Sequence, residues 1–344
     1  MENAFDIQSV TQGLDSLFPN YQIDIDRILS LITQGQLWEA GKDLIGQIIG
    51  NVGGELTGLK TLLVSVLVLG ILSAVFSDFA DIFSGQQISR VGYYFTYLFL
   101  MAVLTRAFLE MADVAVVTIE SIVLFVKVLV PAYFMAVGAA VGITTATAGY
   151  QIVLVVAYGV QSFLLAALMP IIYSYVVMSL INGLWAEERL TMLLDLMKKA
   201  IGVILKTALG MVAGISFIQS IITPAIDGVK ASAFKKLVSV IPGIGNLAEG
   251  VTEMVMGSAV LLKNSIGILF LILLVVICAV PLLKILALAG MMKLSAALAG
   301  VVGDKRLVHC TDRVGDAGLL LFKTVFTVVA LFFILIAIAA YTIR

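Results

Sequence analysis

VLVPAYFMAVGAAVGITTATAGYQIVLVVAYGVQSFLLAALMPIIYSYVVMSLINGLWA, residues 128–186, runs for 59 residues between Lys127 and Glu187 without a single Asp, Glu, Lys or Arg. As helix it would be roughly 90 Å long. That is about three times the hydrocarbon thickness of a bilayer, so the segment must cross more than once or double back. The chain is therefore expected to be an all-α polytopic membrane protein whose work is done in or across a lipid bilayer.

Composition points the same way: 61% of the residues are hydrophobic, 12% are charged, and the mean hydropathy is +1.12. A soluble domain would have about a quarter of its residues charged. The net charge of −1 is not informative about nucleic acid, and none is expected as a partner. Its distribution says more. Residues 1–59 hold Glu2, Asp6, Asp15, Asp24, Asp26, Glu39, Asp43 and Glu55 against only Arg27 and Lys42. Segments poor in Lys and Arg tend to be translocated, which places this region outside the cytoplasm. The chain opens MENAFDIQ, without a basic n-region or short apolar h-region, so either this end is exported with the first span or a cleavable signal has been removed.

Residues 1–59 read as small amphipathic helices, with stripes at Ile25, Ile28, Leu29 and Ile32 and again at Leu37, Leu44, Ile45, Ile48 and Ile49. Gly46, Gly50, Gly54 and Gly58 follow at four-residue intervals. They are either a helix-packing face or a glycine-weakened joint before the first span. The membrane domain covers residues 60–344. Its expected spans are Thr61 to Phe83, Val91 to Met111, Val114 to Val130, Tyr150 to Trp185 with a kink or break at Pro170, Ala200 to Ile222, Ser265 to Leu283, Ile285 to Val302 and Lys323 to Ile343. Residues 187–199 read as an interfacial helix and residues 304–319 as a polar loop. About 7–9 crossings result, one or two of them broken or re-entrant hairpins.

Two segments depart from plain spans. Pro131 to Gly149, with Gly138 and Gly142, is rich in Gly, Ala and Thr, which suits a tightly packed or broken helix. Residues 224–267 carry Asp227, Glu249, Glu253 and Lys263 around Pro224, Pro242, Gly243 and Gly245. That is too much charge for a lipid-exposed span and too little for a solvated loop, so a hairpin entering the membrane inside a protein bundle is expected.

Enzymatic chemistry is not expected. The nearest approach to a phosphate-binding loop, Gly35 to Asp43, has the wrong spacing and ends in Asp. One histidine, His309, and two cysteines, Cys278 and Cys310, do not make a metal site, and no cofactor is expected. A disulfide between the two is also not expected, because Cys278 falls in an apolar segment and Cys310 in the polar stretch. What remains are ionisable residues in apolar surroundings. Arg106 and Glu110 stand four apart, and Glu120 and Lys127 seven apart, so each pair shares a helix face. They are either a polar interior or interhelical ion pairs, while Lys206 and Lys284 are expected to snorkel from span ends.

The stretch Gly214 to Gly267, GISFIQSIITPAIDGVKASAFKKLVSVIPGIGNLAEGVTEMVMGSAVLLKNSIG, resembles the signature region of the stage III sporulation protein AE family of endospore-forming bacteria. Thr223 to Gly228, the lysines before Ile241 and Pro242, Gly243, Gly245 and the run Leu262, Lys263, Asn264 carry the resemblance. The acidic first region and Pro131 to Gly149 fit as well. The resemblance implies one of a set of eight proteins, AA to AH, made in the mother cell and located in the membrane surrounding the forespore. With stage II sporulation protein Q of the forespore, the set is thought to form a secretion-like channel. The leading expectation is then a homo-oligomeric pore or export-gate subunit, with the two Gly/Pro-rich segments lining or gating the path. A self-sufficient secondary transporter with those segments as paired discontinuous hairpins, or a membrane scaffold anchoring partner proteins, are the alternatives.

Overall fold

The computed structural model describes residues 86–141, 158–185, 189–211, 278–301 and 305–342, with isolated positions elsewhere; within these, the side chains of 86–90, 128–141 and 335–342 are not described. The described elements are all helical: α1 Gln86–Val141, α2 Tyr158–Asn182, α3 residues 191–211, α4 Cys278–Ala299 and α5 Lys305–Thr342. By length and composition, α2, α4 and the Lys305–Ile334 part of α5 are each able to cross a membrane. The expected hairpin at 224–267, most of residues 1–59 and the span count lie outside the described residues.

Helix α1 is 56 residues long, and it corrects the expectation of two spans broken near Asp113. Tyr97, Leu104, Phe108, Met111, Ala115, Ile119, Ile122 and Val126 are all buried at spacings of three, four or seven. Arg106, Glu110, Asp113 and Glu120 lie on the exposed side. Charges confined to one face leave the apolar face continuous, so the helix has no reason to end among them. The backbone also stays helical through Pro131 and Gly138.

Helix α2 likewise runs through Pro170 without a break. Directly before it, Leu164–Leu168 form a π turn in which the Met169 amide donates to the Leu164 carbonyl. A π turn re-registers the backbone next to a residue that cannot donate, so the helix widens where the sequence suggested a kink or break.

The third correction is the supposed polar loop. Residues 305–319 form the first four turns of α5, with Leu307, Cys310, Thr311, Val314 and Ala317 buried at helical spacing. Glycines there serve close approach, not chain reversal. A Cβ on Gly315 would meet Lys293 Cγ of α4 at 3.0 Å, and one on Gly318 would meet Met111 Sδ of α1 at 2.6 Å and Ala289 Cβ of α4 at 2.8 Å. Lipid tails are as apolar as leucine, so helices in a bilayer associate through such tight contacts more than through hydrophobic burial.

Named contacts give the helix directions. Gly318 faces Ala289 while Gly300 faces Val308, so α4 and α5 are antiparallel. Tyr93 bonds to Gly183 and Phe108 packs edge-on against Tyr173 at 5.5 Å, so α1 and α2 are antiparallel. Asp195 meets Arg313 and Lys198 meets Asp316, so α3 runs parallel to α5. The α2–α3 turn, the α4–α5 connection and the first turns of α1 thus gather at one end.

Candidate functional site

At that common end two polar clusters tie the helices together. The last carbonyls of a helix have no partners within it and need donors from outside. Here α1 supplies them to α2: Tyr93 Oη donates to the Gly183 carbonyl at 2.7 Å and Tyr97 Oη to the Leu180 carbonyl. The Tyr97 hydroxyl also lies 3.4 Å from Cys310 Sγ of α5, and the Arg306 guanidinium sits 3.8 Å from the centre of the Tyr93 ring. Asn182 Oδ1 then accepts the Leu190 amide at 2.8 Å, satisfying a free donor at the entry to α3. Cys278 and Cys310 are both buried, and neither is in a disulfide.

This seat explains Gly183. A Cβ there would lie 2.5 Å from Tyr97 Oη. Gly183→Ala is expected to cost about 1–3 kcal/mol by overpacking, and part of that penalty is expected to vanish in a Tyr97→Phe background, which deletes the clashing oxygen. Thermal unfolding of the four variants in detergent measures the coupling; equal penalties in both backgrounds would dismiss the contact.

The second cluster is ionic and joins α3, α4 and α5. Asp316 uses both carboxylate oxygens: Oδ1 accepts from Lys293 Nζ at 2.7 Å and Oδ2 from Lys198 Nζ at 2.6 Å. Lys293 also donates to Asp312 at 2.7 Å, and Arg313 meets Asp195 at 3.6 Å. Three cations and three carboxylates balance, and the Asp316 side chain is only 13% exposed. Such a cluster can hold helices in register without leaving net charge in an apolar body. The sequence offered Asp195, Lys198 and residues 304–319 only as an interfacial helix and a loop, so the cluster was missed. The helical spacing of Leu307, Cys310, Val314 and Ala317 was the signal that α5 begins early.

The residues singled out from sequence fall elsewhere. Glu110 of α1 meets Lys284 of α4 at 3.7 Å. Lys127 lies 4.2 Å from the centre of the Tyr158 ring. Arg106, Asp113 and Glu120 are exposed on the outer face of α1, and among the described residues none has an ion-pair partner. A Cβ on Gly46 would meet nothing within 4 Å. Pro131 and Gly138 are inside α1. Gly50, Gly54, Gly58, Gly142, Pro224, Asp227, Pro242, Gly243, Gly245, Glu249, Glu253 and Lys263 lie outside the described residues. Among the described residues, no group of three or more His, Cys, Asp or Glu is placed to hold a metal ion.

The family model for stage III sporulation protein AE matches residues 23–342, which takes in every described helix. The chain belongs to the stage III sporulation protein AE family. A curated relative, stage III sporulation protein AE of Bacillus subtilis (strain 168), is 24% identical over 275 residues, covering 79% of this chain and 69% of the relative. No solved structure matches the chain at a significant level. The resemblance read from Gly214 to Gly267 is thus shown at the level of family, and with its apolar helices this stage III sporulation protein AE family member is a membrane protein.

Proposed function

We propose that this family member is a membrane subunit of a multiprotein secretion-like channel between mother cell and forespore, and that it contributes the pore or export gate. Family membership supplies the setting, and the multi-pass chain would sit in the mother-cell membrane that surrounds the forespore. Other stage III A-series proteins and stage II sporulation protein Q would be its partners. The observation that carries the reading is where charge sits in the bundle. A self-sufficient transporter turns its ionisable groups inward around a midplane site. Here the centre between the described helices is filled by Leu104, Met111, Ile119, Leu168, Ile172 and Met292, while Arg106, Asp113 and Glu120 point outward. A solid body with charged flanks suits a wall element, with the path running between copies or partners.

The same geometry supports a proposed orientation. Arg189, Lys198, Lys199, Lys293, Lys305, Arg306 and Arg313 gather at the end holding the α2–α3 and α4–α5 connections, and the positive-inside bias supports a cytoplasmic position for that end. The first turns of α1 lie there too, which agrees with residues 1–59 being outside if the span expected over Thr61 to Phe83 crosses once.

The test is passage of a small fluorescent tracer from mother cell to engulfed forespore in an endospore-forming host where this chain is the sole copy. Depletion of the chain is expected to stop passage before late forespore reporters fail. Uninterrupted passage alongside failed spore formation would favour the scaffold and defeat the pore reading.

A further inference from the structure

Two exposed acids and two exposed lysines of the described bundle fall on opposite flanks, and Arg106 shares the acids' flank two helical turns before Asp113. On α1, Asp113 and Glu120 are exposed, and the residues on the same helix that face α5, such as Tyr97, Leu104 and Met111, lie half a helical turn away. On the far side, Lys206 of α3 and Lys323 of α5 are exposed. Lys323 stands seven residues beyond Asp316, on the face of α5 turned towards α3 and α4 and away from α1. Among the described residues none of these four has an ion-pair partner.

Their depths agree. Gly318 lies against Met111, and α1 runs in the same direction as α5. Counting from that contact at 1.5 Å per residue, Asp113 is about 3 Å further along, Lys323 about 7 Å and Glu120 about 13 Å. Helix α3 is in register with α5 through the Lys198–Asp316 pair, which puts Lys206 level with Thr324. Both lysines therefore fall between the two acids, within reach of a lysine side chain from either.

We infer that a second copy of this chain docks on the first by setting the Asp113 and Glu120 flank of its α1 against Lys206 and Lys323 of the neighbour. Lipid is a poor occupant for either flank, since an unpaired ionised group in the apolar layer is costly. Two copies joined face to face by the same flank are also poorly matched. A rotation axis along the membrane normal keeps every residue at its own depth, so acids would meet acids and lysines lysines. Contact between unlike flanks pairs all four charges at once, and it is heterologous, so repeated rotation closes it into a ring. Val117 and Leu124 on α1 and Phe326 on α5, all exposed, lie beside the charges and supply apolar contact. This interface rests on the assembly proposed above and specifies which faces build it.

Intermolecular cysteine crosslinking of the full chain in membranes tests it. Cys278 and Cys310 are buried, so the unsubstituted chain serves as the background. Glu120→Cys combined with Lys323→Cys is expected to give, on mild oxidation, a series of dimers, trimers and higher species, whereas either substitution alone stays monomeric. Dimers from Glu120→Cys alone would mean like flanks meet and would overturn the inference, as would a double variant that gives no interchain product. A second measurement guards against a misfolded variant. Chains carrying Asp113→Lys with Glu120→Lys, and chains carrying Lys206→Glu with Lys323→Glu, are each expected to lose self-association and to recover at least ten-fold of it when co-expressed. No recovery on co-expression counts against the pairing. Tracer passage is read separately in cells, so a ring built through other faces would sink this interface and leave the channel reading standing.

Discussion

Gly318→Leu is expected to destabilise the junction of α1, α4 and α5 by about 3 kcal/mol or more, at the upper end of what overpacking costs. The position leaves no room even for a methyl group: a Cβ would come within 2.6 Å of Met111 Sδ and 2.8 Å of Ala289 Cβ. Met111 is itself fully buried, and Ala289 belongs to a helix crossing in close contact. The methionine side chain can move, whereas the Ala289 Cβ is fixed to its backbone, so α4 must shift for any larger residue. Gly318→Ala is therefore expected to be harmful but tolerable, and Met111→Ala to be harmful alone through the cavity it leaves. Combined, the two are expected to cost at least 1 kcal/mol less than their sum. Thermal unfolding of the purified protein in detergent gives all three values. Simple additivity would show that Gly318 does not owe its identity to Met111.

That glycine stood in the stretch that sequence alone read as a polar loop, which shows what was legible and what was not. The apolar length of α2 and the later part of α5 was plain, because 18 or more uncharged residues in a row have few other uses, whereas α4 stays helical through Lys284, where two separate spans were expected to meet. The family too was legible, in Thr223 to Gly228 and the residues around Pro242. The joins were not. Arg106, Glu110 and Asp113 looked like the end of a span, yet at offsets of four and seven they share the outer face of one helix. Gly315, Gly318 and their Asp and Thr neighbours looked like a turn, because in water glycine and short polar residues favour turns. Between packed helices the same glycines are places of close approach. The ionic cluster lay further out of reach, since Lys198 and Asp316 are 118 residues apart and nothing local to either announces the other.

Within that cluster Asp316→Asn is expected to have the largest effect, because two lysines depend on one carboxylate. Removing the charge leaves Lys198 with no counterion in the cluster and Lys293 with Asp312 alone. Breaking a buried ion pair from one side costs about 3–5 kcal/mol. With Lys198 42% and Lys293 31% exposed, solvent recovers part of that, and about 2–3 kcal/mol is the expected loss. Asp312→Asn is expected to cost less, since Lys293 keeps Asp316. Lys198→Gln should be milder still, because Asp316 keeps Lys293 and the lost lysine is the more exposed partner. The decisive comparison is Asp316→Asn together with Lys198→Gln: removing the stranded cation along with its partner is expected to restore part of the stability. Thermal unfolding of the set ranks them, and an Asp316→Asn variant as stable as the parent would show that the Asp316 pairs do not hold α3 and α4 to α5.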